Sequence, residues 1–253
     1  MSDPSVWAHV AAGGAAVAAG LVNALAGGGT LITFPVLTAV GVPAVRANAT
    51  NTVSLLPGYV GGAIAQRRDL AGLGKTVRPQ IVAAAVGGLL GGILLIITSE
   101  SLFREIVPYL ILSSTILLAA QDRLRAWIFR EGHHHESHVA LQTIAIGLAS
   151  VYGGYFGAGL SIIILAVLGL FSDLPFTRLN AIKLLLAFVV NLSAAIFLMF
   201  SGKIEWTFVA VMAPCALIGG NTGGRLASVL PPRRLRMAVI ALGLTVSVIY
   251  FLK

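Results

Sequence analysis

The chain is built from long apolar stretches that follow one another with only short polar segments between them. Seven stretches have close to the ~20 apolar residues that a helix needs to cross a bilayer: 7–26, 47–66, 79–98, 106–121, 179–200, 205–224 and 236–252. Only 10% of the 253 residues are Asp, Glu, Lys or Arg, whereas soluble domains carry about 25%. This scarcity of charge excludes a soluble enzyme and a nucleic-acid-binding protein. We therefore expect an all-α polytopic membrane protein.

Three further apolar segments are too short to cross a bilayer without tilting. They cover residues 29–40, 139–152 and 158–171. Segments of this length are typical of half-membrane, re-entrant or broken helices. The sequence leaves open which of these forms each segment takes.

Two patterns recur in the same order in the two halves of the chain. Three positions are repeated 132 residues apart in the motif P-x-x-R-x-N: Pro43, Arg46 and Asn48 match Pro175, Arg178 and Asn180. Two preceding glycines are repeated 130 residues apart: Gly27 and Gly29 match Gly157 and Gly159. We expect a duplication with an N-terminal transmembrane repeat, a polar cytoplasmic linker and a C-terminal transmembrane repeat, at residues 1–121, 122–138 and 139–253.

Basic residues indicate how the repeats lie in the membrane. Lys and Arg collect in cytoplasmic loops, and here they cluster within residues 67–78, 123–130 and 225–236. With these clusters in the cytoplasm, the helix after Arg46 runs inward and its copy after Arg178 runs outward, provided each short segment returns to the side it entered from. The repeats are then inverted, which is typical of alternating-access transporters with a site near the bilayer midplane.

The glycine-rich segments before the two motifs are candidate anion sites. A helix that begins inside the membrane exposes N–H groups and the positive end of its dipole. Glycine allows close approach to the backbone, and hydroxyls add donors. The candidate binding residues of these segments are Gly28, Gly29, Thr30, Gly157, Gly159 and Ser161. The alternative is that such glycines only allow tight helix packing, which we prefer for the glycines at positions 87, 88, 91 and 92.

The charged residues also favour an anionic ligand. None of the nine acidic residues lies in the middle of a predicted span, whereas cation and proton transporters keep an intramembrane carboxylate. Lys183 lies within a predicted helix, where it can meet an anion or water, or alternatively snorkel to the interface. Arg46 and Arg178 are candidates to line opposite approaches, or to bind loop carbonyls and lipid phosphates at helix starts.

Three asparagines at the starts of long helices complete the candidate site, either as ligands or as helix caps: Asn48, Asn51 and Asn180. The histidines at positions 133, 134, 135 and 138 lie in the polar linker without a regular second ligand set, so we expect a solvated loop there and no metal site. No nucleotide-binding or nucleophile motif is present, and we expect neither a cofactor nor an enzymatic activity.

The motifs carry a resemblance to a known family. With GGGTLITFPVL followed by GVPAVRANATNT, and GGYFGAGLSI followed by LPFTRLNAIK, the chain resembles the sulfite exporter TauE/SafE family of transporters. The resemblance covers nearly the whole chain, including the duplication and the midpoint linker. It implies an inner-membrane permease for a small sulfur-containing anion such as sulfite, thiosulfate or an organosulfonate.

The resulting hypothesis is a secondary transporter that works by alternating access, with the anion bound between the two glycine-rich breaks. A passive anion channel would use the same residues without alternating occlusion. A membrane subunit that anchors a partner protein would transport nothing. The expected partners are a small anionic substrate and the lipid bilayer, without nucleic acid. The sequence leaves open the particular anion, the direction of transport, the coupling ion and the oligomeric state.

Overall fold

The computed structural model describes residues 5–25, 27–65, 69–128, 139–172, 174–226 and 232–252. These ranges contain only α-helices as regular structure, which confirms the predicted all-α polytopic fold. In chain order the helices are α1 (Val6–Leu25), α2 (Thr30–Ala39), α3 (Ala44–Ala65), α4 (Gly74–Ile97), α5 (Glu100–Ile128), α6 (Val139–Tyr155), α7 (Leu160–Leu170), α8 (Phe176–Met199), α9 (Trp206–Leu226) and α10 (Pro232–Phe251).

Four helical stretches in the described ranges are long and apolar enough to cross a membrane: Val6–Ala24, Val77–Ile97, Glu100–Leu124 and Phe176–Met199. The other three predicted spans correspond to α3, α9 and α10. Large apolar side chains of α4, α6 and α10 are exposed on the outside of the bundle. An apolar outer surface of this kind is stable against lipid chains rather than water.

The three short apolar segments are all helical. The helices α2 and α7 contain 10 and 11 residues, so each is about 15 Å long, roughly half the thickness of a bilayer core. Helix α6 reaches Tyr155 and, with 17 residues, is longer than the segment that predicted it.

Helix α5 also extends beyond its predicted end. It continues to Ile128, so residues 122–128 of the predicted linker are helical. Leu124, Trp127 and Ile128 follow the apolar spacing of a helix, which explains the extension. Residues 129–138, with the histidine cluster, lie outside the described residues.

Helices α5 and α10 pack antiparallel. Arg236 near the start of α10 pairs with Asp122 near the end of α5. At the other end, the rings of Tyr109 and Phe251 meet with centroids 5.1 Å apart. We name the two ends of the bundle after acidic residues of α5: the Glu100 end, where α5 begins, and the Asp122 end.

Polar contacts join three helices at the Glu100 end. The Glu100 carboxylate accepts hydrogen bonds from the backbone N–H groups of Ala44 and Val45, at 2.5 and 3.1 Å, and so caps α3. Arg46 forms an ion pair of 2.5 Å with Glu205, the residue before α9. Helices α3, α5 and α9 therefore all begin at this end.

Helices α1 and α2 form a hairpin that starts and finishes at the Glu100 end. Near the start of α1, the His9 ring stacks on Phe208 of α9 with centroids 4.7 Å apart. Near the end of α2, the Tyr250 hydroxyl of α10 donates a hydrogen bond of 2.6 Å to Thr38 Oγ1. The turn between the two helices lies inside the bundle.

Helices α6 and α7 form a second hairpin with the opposite direction. Along α6, Gly147 packs on Ala83 and Gly154 packs on Gly88, so α6 runs parallel to α4. Helix α4 begins at the Asp122 end, because α3 crosses the bundle from the Glu100 end before it. Helix α8 packs along α4 in the same direction. The second hairpin therefore starts and finishes at the Asp122 end.

Glycines make the closest of these helix contacts possible. Gly20 of α1 faces the backbone of Ala216 in α9, and Gly91 of α4 faces the backbone of Val151 in α6. A side chain at either position would overlap the neighbouring helix. The glycines at 87 and 88 are equally crowded, whereas Gly92 makes only ordinary contacts. The packing interpretation of this glycine cluster is thus confirmed at 87, 88 and 91.

Candidate functional site

The tip of each hairpin is a short non-helical break. Residues 27–29 form the first break and residues 156–159 the second break. Four glycines in them have φ angles of 79°, 95°, 81° and 78°: Gly27, Gly28, Gly157 and Gly159. Residues with a Cβ atom rarely adopt such angles. The glycines therefore allow each hairpin to turn within a few residues.

The two breaks meet inside the bundle. A methyl group added at Gly27 would lie 3.2 Å from Cβ of Ser161, in the first turn of α7. Both breaks also face the same part of α5, with Gly28 against Leu118 and Gly159 against Ser114. Ser161 is thus brought against Gly27, the neighbour of the predicted Gly28 and Gly29, whereas the predicted glycines themselves pack on other residues.

Asn51 connects the first hairpin to α3. Its Oδ1 accepts a hydrogen bond of 2.5 Å from Thr33 Oγ1, and its Nδ2 donates one of 3.3 Å to Thr30 Oγ1. The Gly29 N–H donates to Asn23 Oδ1 at 2.8 Å. All of these side chains are buried. Asn23 and Thr33 are not among the residues predicted from the sequence, although each is a polar residue in a strongly apolar segment.

Asn48 connects the second hairpin to α3. Its Nδ2 donates a hydrogen bond of 2.6 Å to the carbonyl oxygen of Tyr155, the last residue of α6. The hydroxyls of Ser114 and Tyr152 both donate to the carbonyl oxygen of Ala158, at 3.0 and 2.7 Å. Ser114 and Tyr152 were also not predicted, because nothing in their local sequence indicates contact with a distant backbone.

Backbone donors remain free at the second break. Within the described part of the chain, the N–H groups of Ala158, Gly159 and Ser161 donate no hydrogen bond. They surround the start of α7, where the helix dipole concentrates partial positive charge. Free N–H groups at a helix start are suited to binding a small anion.

Lys183 of α8 occupies the position that matches Asn51 of α3 in the repeat. Its side chain is 7% exposed, and its ammonium group forms no hydrogen bond or ion pair with any residue that the structure describes. Asn51, in contrast, forms hydrogen bonds through both the oxygen and the nitrogen of its side-chain amide. A buried ammonium without an acidic partner is costly unless an anion or water approaches it. Of these two matched positions, only the one in the second half carries a charge, and that charge is not neutralised by a described residue.

The two arginines of the repeated motif lie at opposite ends of the bundle. Arg46 is paired with Glu205 at the Glu100 end. Arg178 is exposed in the first turn of α8, at the Asp122 end. Asn180, two residues after Arg178 in α8, is half-buried and already has an interaction partner. The arginines are therefore separate from the contact between the breaks.

Comparison with known proteins gives the class to which this arrangement belongs. A protein of Haemophilus influenzae named "Probable membrane transporter protein" is 26% identical over 210 residues, which cover 82% of this chain and 80% of the relative. "Probable membrane transporter protein YfcA" of Escherichia coli is 26% identical over 220 residues, with 83% and 77% covered. "Probable membrane transporter protein ORF9" of a Sinorhizobium species is 25% identical, with 84% and 80% covered.

The ten helices of the described ranges, arranged around two buried breaks, define together with these relatives a polytopic membrane transporter. The family model described as "Sulfite exporter TauE/SafE" matches residues 12–250. The chain therefore belongs to the sulfite exporter TauE/SafE family, as its repeated motifs predicted.

Proposed function

We propose that this protein is a secondary transporter of the inner membrane for a small sulfur-containing anion such as sulfite, thiosulfate or an organosulfonate. The observation that carries the proposal is the contact between Gly27 and Ser161. It joins the tips of two hairpins, one from each half of the chain and each from a different end of the bundle. An anion bound at this contact touches both halves at once. The family description, which names sulfite, supports the substrate class.

The donors of the second break and the buried charge of α8 support an anion rather than a cation. The second break supplies free N–H groups, Ser161 supplies a hydroxyl, and Lys183 supplies a buried positive charge. An oxyanion accepts several hydrogen bonds at once and is attracted to all three kinds of donor. The acidic residues that the structure describes lie in a loop or toward helix ends: Asp69, Glu100, Glu105, Asp122 and Glu205.

Inverted repeats would give this site alternating access. The packing supports them: α1 packs on α9 as α6 packs on α4, and α2 packs on α10 as α7 packs on α5. The matching helices α3 and α8 start at opposite ends, as do α5 and α10. These relationships are expected from a two-fold axis in the membrane plane. Movement of one half against the other would open the breaks to each end in turn, with the Asp122 end in the cytoplasm.

Flux into proteoliposomes tests the activity and the site separately. The purified full chain should take up sulfur-35-labelled sulfite, thiosulfate or an organosulfonate with saturable kinetics. Lys183→Ala and Asn180→Ala should each reduce the flux about tenfold, since the first removes a buried cation and the second a half-buried amide donor from a charged ligand. Lys203→Ala removes an exposed lysine of the α8–α9 turn and should leave the flux unchanged.

Each alternative has its own outcome in these measurements. Wild-type flux in both the Lys183→Ala and Asn180→Ala variants would contradict the site while leaving the activity in place. Single-channel currents far above transporter turnover would identify a passive anion channel. No flux with any of the anions, together with stable copurification of a second polypeptide, would identify an anchor subunit.

A further inference from the structure

A cavity of about 1180 Å³ opens at the Glu100 end, between α2, α5, α10 and the start of α3. No residue of either break lines it, so it is separate from the proposed anion site. Apolar side chains such as Val246 and Ile249 form much of its wall. Two charged side chains also line it, Arg104 and Glu105 of α5.

These two charges are not neutralised within the described protein. Arg104 is the counterpart of Arg236, 132 residues later, at the same spacing that relates the two P-x-x-R-x-N motifs. Arg236 pairs with Asp122 across α10 and α5. In the described ranges, however, neither Arg104 nor Glu105 forms an ion pair or a hydrogen bond through its side chain. The cavity wall thus carries one free cation and one free anion, on consecutive exposed residues of α5.

The position of the cavity indicates what can reach it. Arg104 is one helical turn from Glu100, the first residue of α5. Nearby, Tyr109 is 64% exposed and Ile249 is 45% exposed on the outer surface of α5 and α10. Tyrosine is enriched where the apolar core of a bilayer meets the headgroups. The cavity therefore faces the lipid, and its charged residues lie toward the Glu100 end of the bundle.

We propose that this cavity binds a phospholipid whose headgroup joins a phosphate to a primary ammonium, as in phosphatidylethanolamine. Arg104 pairs with the phosphate, Glu105 accepts hydrogen bonds from the ammonium, and an acyl chain covers Val246 and Ile249. Charge complementarity selects this class of lipid. Phosphatidylglycerol has no cation for Glu105, and the quaternary ammonium of phosphatidylcholine has no N–H to donate.

Native mass spectrometry of the full chain tests the proposal. The protein is released from nanodiscs that contain equal amounts of phosphatidylethanolamine, phosphatidylglycerol and phosphatidylcholine with identical acyl chains. We expect wild type to retain about two- to fivefold more phosphatidylethanolamine than either of the other lipids. This ratio corresponds to the binding free energy of a partly exposed ion pair. Glu105→Gln should remove the preference over phosphatidylcholine, and Arg104→Gln should reduce the retention of all three lipids, because each carries the phosphate.

Arg123→Gln is the matched control, because Arg123 is an exposed arginine of the same helix near its Asp122 end. This variant should keep the wild-type preference. Equal retention of the three lipids by wild type would overturn the proposal. A preference over phosphatidylcholine that survives Glu105→Gln, or a retention that is unchanged in Arg104→Gln, would also overturn it. A preference for phosphatidylglycerol would also overturn it, since it would show a general contact with anionic lipid. Lipid retention is read without transport, so its failure is distinct from a failure of the proposed function.

Discussion

Gly27 in the first break contacts Ser161 in the first turn of α7, and this pair is a point where the two halves of the chain meet. The two residues belong to hairpins that enter the bundle from different ends. Alternating access requires these halves to move against each other. We therefore expect that a side chain added between Gly27 and Ser161 reduces the rate of transport.

Gly27→Ala should abolish most of the flux and lower the free energy of unfolding by at least about 1–2 kcal/mol. The φ angle of 79° is unfavourable for alanine, and the new methyl group would lie 3.2 Å from Ser161. Gly72→Ala is the matched control, since its φ is 81° but no atom lies within 4 Å of the added methyl group. Thermal unfolding and proteoliposome flux should show a stability loss in both variants and a flux loss only in Gly27→Ala. Equal flux in the two would contradict a role for the contact.

The ion pair between Arg46 and Glu205 joins the first half to the second at the Glu100 end. Its side chains are 34% and 19% exposed, so water screens the interaction. A double-mutant cycle with Arg46→Ala and Glu205→Ala should give a coupling free energy of only about 0.5–1 kcal/mol in unfolding experiments. Arg178→Ala combined with Glu205→Ala is the control, because Arg178 lies at the other end, and its effects should be additive. Additivity in the Arg46 cycle as well would show that the pair contributes no stability.

Cysteine labelling of intact cells tests the orientation of the two ends. Cys215 is the single native cysteine, so Cys215→Ala provides a cysteine-free background. Lys203→Cys and Arg123→Cys place exposed thiols near the Glu100 and Asp122 ends. A membrane-impermeant maleimide should label position 203 directly and position 123 only after the membrane is permeabilised. Labelling of both positions from the same side would contradict a bundle that spans the membrane between these ends.

Much of the fold was predictable because the signal is local. A run of about 20 apolar residues is sufficient to predict a spanning helix, and the lengths of α2 and α7 followed from the shorter runs. The extension of α5 was missed because Asp122, Arg123 and Arg125 give its last turns the composition of a loop. Their helical state fits the apolar spacing of Leu124 and Trp127 in the same segment.

The candidate site was only partly predictable, because its contacts join residues far apart in the chain. Repetition predicted the two breaks, yet their contact depends on how the hairpins pack. Asn51 and Lys183 also occupy matching positions of the sequence repeat, so the sequence alone predicts the same role for both. The structure distinguishes them, since Thr30 and Thr33 bond the Asn51 amide while no described residue bonds the Lys183 ammonium.

That difference predicts opposite effects of Lys183→Met on stability and on transport. Methionine keeps most of the volume of lysine and removes a buried charge that lacks an acidic partner, so the free energy of unfolding should rise by about 1–3 kcal/mol. Flux should fall, because the anion loses its positive partner. Lys203→Met is the matched control: this side chain is exposed, and its replacement should change stability by less than about 0.5 kcal/mol and leave flux unchanged.

Ligand-dependent stability separates the two roles that Lys183 can have. If its ammonium holds the anion, added sulfite should raise the melting temperature of wild type and Lys203→Met but not that of Lys183→Met, because only a bound ligand stabilises the folded state. If the ammonium instead reaches the interface, as snorkelling lysines do, all three proteins should respond to sulfite alike. A Lys183→Met protein that is less stable than wild type would mean that the charge is already compensated in the folded protein, and the proposed anion site would then lose its buried cation.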